Sequence, residues 1–294
     1  MPRLLSNLAA LLGAGAIWAL TPAMAKLAMA EGMRPLGVAT LAAITAAATL
    51  FVVAAAQRQS APWDRAHLVQ YATGGVVGLA LAQFFAFTGL TRAPAGLFAL
   101  LVPLSGLFTV IFFALARIER ATPRSIAGAA IGMAGVALAM APGAALPDPA
   151  LLPWAAIMVL TPVCYALANL FSVKYAVRGT PPLAQAAGTL ALGAVGAAVL
   201  ALPMGHLGPP PSIGIALLLV AQGVLTAVAY LLYFHLLVQV GGVFTSQISY
   251  VITLAGLLWG FLLFAEVPGW LTIPAAGLTF AGVALVTLDK RERR

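Results

Sequence analysis

The sequence predicts an all-α integral membrane protein of ten transmembrane helices, built as a 5+5 inverted-topology repeat with both termini in the cytoplasm. Three observations carry this. Of the 294 residues, 63% are hydrophobic and only 7% charged, with a mean hydropathy of +1.05, whereas a soluble domain carries about 25% charged side chains to face water. Apolar stretches follow one another along the chain, each near the roughly 20 residues needed to cross about 30 Å of hydrocarbon. Finally, Gly135, Val136, Ala137 and Leu138 recur as Gly282, Val283, Ala284 and Leu285, and Glu119 recurs as Glu266, all at an offset of 147, half the chain. A duplicated, wholly apolar chain points to transport machinery whose site lies between the copies.

In chain order, Leu4 to Ala30 is the first stretch, with Pro22 inside it. Pro35 to Ala56 is the second, closed by the turn-forming run Gln57 to Trp63. His67 to Gly89, the third, carries Gly74 and Gly78 at a spacing that lets a second helix approach closely. Ala93 to Ala116, the fourth, is interrupted by Pro103, and Arg124 to Met140, the fifth, carries Gly128 and Gly132. Pro142 to Pro149 separates the copies. Pro153 to Tyr175, the sixth, is interrupted by Pro162, and Leu183 to Leu202, the seventh, runs into Gly205 to Pro211. Ser212 to Val240 is the eighth and Pro268 to Leu288 the tenth. Between them Phe244 to Phe264, the ninth, holds Gly256 and Gly260 and is more polar than its neighbours, with Thr245, Ser246, Gln247, Ser249, Tyr250 and Thr253. The connections leave no room for a soluble domain.

Basic residues orient the bundle, because Lys and Arg accumulate on cytoplasmic loops. With the N-terminus inside, Arg3, Arg58, Arg65, Arg117, Arg120, Arg124, Lys174, Arg178, Lys290, Arg291, Arg293 and Arg294 fall on the cytoplasmic side, against Arg34 and Arg92 opposite. Five spans per copy then force the second copy to enter from the other side, giving repeats over 1–147 and 148–294 in one bundle. A competing reading is a cleavable signal, from Arg3, an apolar core and Ala23, Met24, Ala25 before Lys26. Cleavage there would leave nine spans and unbalance the repeat. The net charge of +8 reads as topology marking, since the charges form no aromatic-interleaved patch for nucleic acid. A single cysteine, Cys164, excludes an intramolecular disulfide and a Cys-based metal site, and no cofactor is implied.

Five plus five spans in about 300 residues, cytoplasmic termini, Trp18 followed eight positions later by Lys26, and Gly-rich fifth and tenth stretches together resemble the drug/metabolite transporter superfamily, and within it the EamA-type exporters. The likeness covers essentially the whole chain and is strongest, by overall character, to the branch exporting aromatic and other neutral amino acids. It implies a multi-pass protein of the bacterial inner membrane that works by alternating access on a small-molecule substrate, as a monomer or a dimer.

A site between the copies should hold repeat-related polar or aromatic residues. The offset pairs Trp18 with Tyr165, Gln83 with Tyr230, Phe87 with Phe234, Ala99 with Ser246 and Val102 with Ser249. Gln83 and Phe87 are one helical turn apart, as are Tyr230 and Phe234, so each pair shares a face; Ser246, Ser249 and Thr253 form one stripe. Asn169 joins Gln83 and Tyr230 as mid-span groups that need partners. The expected substrate-binding set is Trp18, Gln83, Phe87, Tyr165, Asn169, Tyr230, Phe234, Ser246 and Ser249. Against it stands the plainer reading that hydroxyls bond back to their own helix and aromatics fill gaps. Pro22, Pro103 and Pro162 are candidate hinges, each freeing a carbonyl.

Lys26 is the one cation within a span. It is a candidate contact for a substrate carboxylate, or else it snorkels to the headgroups or pairs with Glu31. His235, near the cytoplasmic end of the eighth stretch, is a structural residue or a proton relay. All seven acids, Glu31, Asp64, Glu119, Asp148, Glu266, Asp289 and Glu292, lie at span ends, in loops or in the tail. That argues against a cationic-drug antiporter and for a neutral or zwitterionic cargo moving down its own gradient. Glu119 and Glu266 read as interfacial or gating charges on opposite faces, and Arg117, Arg120 or Arg124 is placed to pair with Glu119. The rivals are an exporter of drugs or other metabolites on the same fold, a lipid-carrier enzyme disfavoured by three histidines and no clustered acids, and a non-transporting assembly subunit.

Overall fold

The computed structural model describes residues 2–118, 122–141, 144–245 and 248–291. Among these the helices are α1 (Pro2–Ala30), α2 (Pro35–Ala56), α3 (Arg65–Leu90), α4 (Ala95–Leu115), α5 (Pro123–Ala139), α6 (Leu152–Lys174), α7 (Pro182–Ala201), α8 (Ile213–Thr245), α9 (Ile248–Phe264) and α10 (Thr272–Arg291). Seven are long and apolar enough to cross a membrane; Pro123–Ala139, Ile248–Phe264 and Thr272–Leu285 are apolar but shorter. Leu217, Val195, Val199, Leu254 and Phe261 are exposed. A belt of this kind suits lipid, not water, as the surrounding solvent.

Helix starts follow local chemistry. Pro35, Pro123 and Pro182 open α2, α5 and α7, where a missing N–H costs nothing. Asp64 caps α3 through the N–H groups of Ala66 and His67. Thr122 and Ser125 form a reciprocal capping box at α5.

Packing repeats with the sequence. A Cβ on Gly135 of α5 would meet Ala275 and Thr279 of α10, and one on Gly282 of α10 would meet Gly128 and Gly132 of α5. These are the same contact shifted by 147. Likewise α1 packs on α8 and α9 as α6 packs on α3 and α4, while α2 pairs with α7 and α5 with α10. Duplicated glycines thus sit where two mated helices approach backbone to backbone.

Several expectations need correction. Pro22 and Pro162 lie inside unbroken helices, because a single lost hydrogen bond bends a helix without ending it once its neighbours hold it. Only Pro103 separates two segments, Ala95–Leu101 and Leu104–Leu115. The ninth stretch begins at Ile248, not Phe244, because α8 continues through Gly241 and Gly242 to Thr245. The tenth begins at Thr272, not Pro268, since the Gly269 N–H is drawn to the Ala144 carbonyl in the connection between the copies. Residues Thr73–Leu81 of α3 wind as a π-helix, a feature of functional sites that hydropathy cannot signal.

Candidate functional site

The site grows from one aromatic group. Trp18 of α1 stands edge-on to Tyr230 of α8, ring centroids 5.6 Å apart at 88°, and 5.4 Å from Tyr233. Phe234 completes the α8 side, 5.2 Å from Tyr233 and 6.2 Å from Tyr230. Tyr165 of α6 lies close enough to Tyr230 for electrostatic interaction between them. Trp18, Tyr165, Tyr230 and Tyr233 are each half-buried. Each ring pair adds about 0.5–1.5 kcal/mol beyond area burial, so the group is pre-formed.

A cleft of about 450 Å³ lies between α1 and α8, lined by Ser6, Ala9, Ala10, Leu232 and His235. Leu232 also packs in one cluster with Trp18 and Tyr233.

Trp18, Tyr165, Tyr230 and Phe234 of the expected set therefore come together. Phe87 does not join them: it is 2% exposed and packed in the main core, so the plainer packing reading holds for it. Its mate Phe234 is half-buried, showing that the repeat does not conserve exposure. Asn169 donates from Nδ2 to Thr109 Oγ1 of α4 at 3.2 Å, a cross-helix tie. Gln83 keeps its Oε1 buried without a partner among the described residues. Ser249 is half-buried and its carbonyl accepts from Thr253; Ser246 lies outside the described residues, as does Glu119. Thr253 also donates to the Ala99 carbonyl of α4 at 3.0 Å, so it braces α9 against α4. Tyr233 escaped the repeat argument because its mate is Ala86; its signal was only that it follows Tyr230 by three positions, on the same helix face.

Lys26 neither snorkels nor pairs with Glu31. Its Nζ donates to Glu266 Oε1 at 2.6 Å and lies 4.6 Å from the Phe264 ring centre. The same carboxylate accepts the N–H groups of Ala95 and Gly96 at 2.9 Å each, at the start of α4. Glu266 thus ties α9 to both α1 and α4, and the bidentate hydrogen bonding explains why a carboxylate is tolerated there. Another polar tie joins the copies: His67 bridges Asp64 through Nδ1 and Thr180 Oγ1 through Nε2, the latter at 3.1 Å. The His67 contact is the main reason that Asp64 titrates below the usual carboxylate range.

Comparison with known proteins agrees with this architecture. The model of the EamA-like transporter family matches residues 5–141 and again 152–288, two matches that begin 147 residues apart. Sixteen chains of solved structures match; one, described only as "Crystal structure of protein", superposes with a TM-score of 0.65 over 97% of this chain and 98% of its own at 22% identity. That degree of identity shows the fold alone. No curated protein matches.

Proposed function

The chain belongs to the EamA-like transporter family, a multi-pass membrane transporter of the drug/metabolite type, and from that premise we propose that it exports small neutral or zwitterionic metabolites, foremost aromatic and other neutral amino acids. In this reading all ten helices span a bacterial inner membrane with both termini in the cytoplasm, residues 1–147 and 148–294 are the inverted copies, and the cargo crosses as the copies rock about a cavity between them. The observation that carries the cargo class is the wall formed by Trp18, Tyr165, Tyr230 and Tyr233. Aromatic faces bind a flat apolar side chain, and phenol hydroxyls serve its polar end. Asn169, Gln83, Ser246 and Ser249 supply further polar contacts as the cavity closes. Lys26 would reach a cargo carboxylate only after leaving Glu266. In this reading transport follows the cargo's own gradient, and Glu266 is already hydrogen-bonded three times.

The test is uptake into proteoliposomes of a labelled panel (tryptophan, phenylalanine, methionine, threonine, a quaternary amine, a sugar phosphate) with and without a pH gradient. Saturable amino-acid flux indifferent to the gradient is expected. Flux confined to the amine would replace this reading with a drug exporter, and no flux at all with a non-transporting subunit.

A further inference from the structure

We propose that Glu266 and Lys26 are the latch of the extracytoplasmic gate, and that the unliganded chain rests with this gate shut and its cytoplasmic end open. The inference builds on the alternating-access reading above. Three observations carry it.

The first is the geometry of Glu266. One carboxylate, at the end of α9 in the second copy, holds the Lys26 ammonium of α1 and the two N–H groups that begin α4, both in the first copy. No rocking of the copies that parts α9 from α1 and α4 can keep all three contacts. Gly96 and Gly260 make the approach feasible: a Cβ on Gly260 would stand 2.6 Å from Glu266 Oε2 and 3.2 Å from the Gly96 nitrogen. These glycines leave room for the carboxylate and nothing more.

The second is the other end of the bundle. In the first copy α3 stops at Leu90 and α4 starts at Ala95. Shifted by 147, that break falls at residues 237–242, yet α8 runs unbroken to Thr245. The backbone N–H groups of Gly242 and Val243, the counterparts of Ala95 and Gly96, therefore lie within a helix and are not presented at a helix start. Glu119, the counterpart of Glu266, lies outside the described residues and enters here through the sequence repeat alone. The cleft between α1 and α8, lined by Ser6 and His235, lies at this same end. The latch is thus made at one end, and at the other α8 has no break matching the start of α4.

The third is a difference in sequence between the copies. The position equivalent to Lys26 is Val173, which is exposed and brings no charge. The Lys26–Glu266 contact therefore has no repeat-mate on α6, and it favours the state in which it is made. A contact present in one state and absent from the other biases the equilibrium by its full differential free energy.

The experiment measures two distances in the full chain in nanodiscs on a Cys164→Ser background. Spin-label pairs are introduced by Glu31→Cys with Val267→Cys on the extracytoplasmic side, and by Ser6→Cys with His235→Cys at the cleft. The parent should show a narrow, short 31–267 distribution and a longer 6–235 one. Glu266→Gln should lengthen the first and shorten the second, changing the ratio of outward- to inward-open molecules by roughly tenfold or more, as expected for loss of a charge-assisted contact. Lys26→Met should do the same to a smaller extent; it leaves the α4 start capped and serves as the readout if Glu266→Gln does not fold. Unchanged distributions in both variants, or a parent already open outward, would overturn the latch. If no cargo of the panel is carried but the variants still move the distances, the cargo reading fails and the latch stands.

Discussion

Two alanines on α10, five residues apart, should act with opposite sign. At Gly277 a Cβ meets nothing within 4 Å, so Gly277→Ala keeps its contacts and gains roughly 0.5–1 kcal/mol, because a helix-interior glycine carries that cost relative to alanine. At Gly282 a Cβ would stand 2.5 Å from the Gly128 carbonyl oxygen and 2.6 Å from the Gly132 Cα, where favourable contacts are about 3.5–4.0 Å. The shortfall of about 1 Å falls on backbone atoms, so no rotamer change relieves it and α5 must move away from α10. Overpacking of this kind costs about 1–3 kcal/mol, and the alanine gain offsets only part. The alanine gain is common to both, so the two variants should differ by the overpacking cost, about 1–3 kcal/mol. Gly135→Ala, whose Cβ would lie 2.6 Å from both the nitrogen and Oγ1 of Thr279, should resemble Gly282→Ala, and Gly106→Ala, in open space, should resemble Gly277→Ala. The assay is reversible unfolding in mixed micelles followed by far-UV circular dichroism. Equal signs for Gly277→Ala and Gly282→Ala would refute the claim that duplicated glycines set the closest helix approach.

The cavity assignment separates two aromatics that look alike in sequence. Trp18→Ala should raise the KM for a transported aromatic substrate by about tenfold, with a stability loss of about 1–3 kcal/mol from its two ring pairs. Phe87→Ala should cost about 3–5 kcal/mol of stability and leave the KM of the protein that still folds unaltered; purified variants measured for both quantities check this. A pH effect is expected at the connection after α7. Burial first, and then the Arg34 charge, hold the His206 imidazole below its ordinary value, so the folded state resists a proton that the unfolded chain accepts. The contribution of His206 is therefore complete above about pH 6.5 and is lost as pH falls from there through the depressed folded value. Thermal unfolding followed between about pH 8 and about pH 5.5 should show this slope, and His206→Asn should flatten it.

What was legible in the sequence is what one-dimensional patterns encode. Apolar runs such as Pro35 to Ala56 coincide with the helix that forms, because crossing hydrocarbon imposes one length and one composition. The offset of 147 foretold the α5 and α10 interface, since Gly135 and Gly282 are mates in space as in sequence. Helix face was legible too: Tyr230 and Phe234, four apart, do meet. What could not be read is which neighbour a face receives. Phe87 and Phe234 are mates, yet one is sealed and the other lines the aromatic group, because burial depends on the helix opposite. Thr253 shared a stripe with Ser246 and Ser249 in the sequence and is committed to the Ala99 carbonyl of α4. Lys26 seemed a choice between headgroups, Glu31 and cargo, because a partner 240 residues away leaves no trace in local spacing.

The departures from the repeat are as informative as the repeat itself. Where two mated helices must touch, the copies agree, since a larger residue on either side would force both apart. Where the chain must tell one membrane face from the other, they disagree: Lys26 against Val173, and Tyr233 against Ala86. A perfect inverted repeat would make inward-open and outward-open states equal in energy and give its cavity the same walls from both sides. A preferred resting state then comes from residues that break the repeat, and the Lys26–Glu266 ion pair, with Val173 at the mate position of Lys26, is such a break. The aromatic group departs from the repeat in the same way: α8 supplies Tyr230, Tyr233 and Phe234 where the matching face of α3 offers Gln83, Ala86 and the buried Phe87.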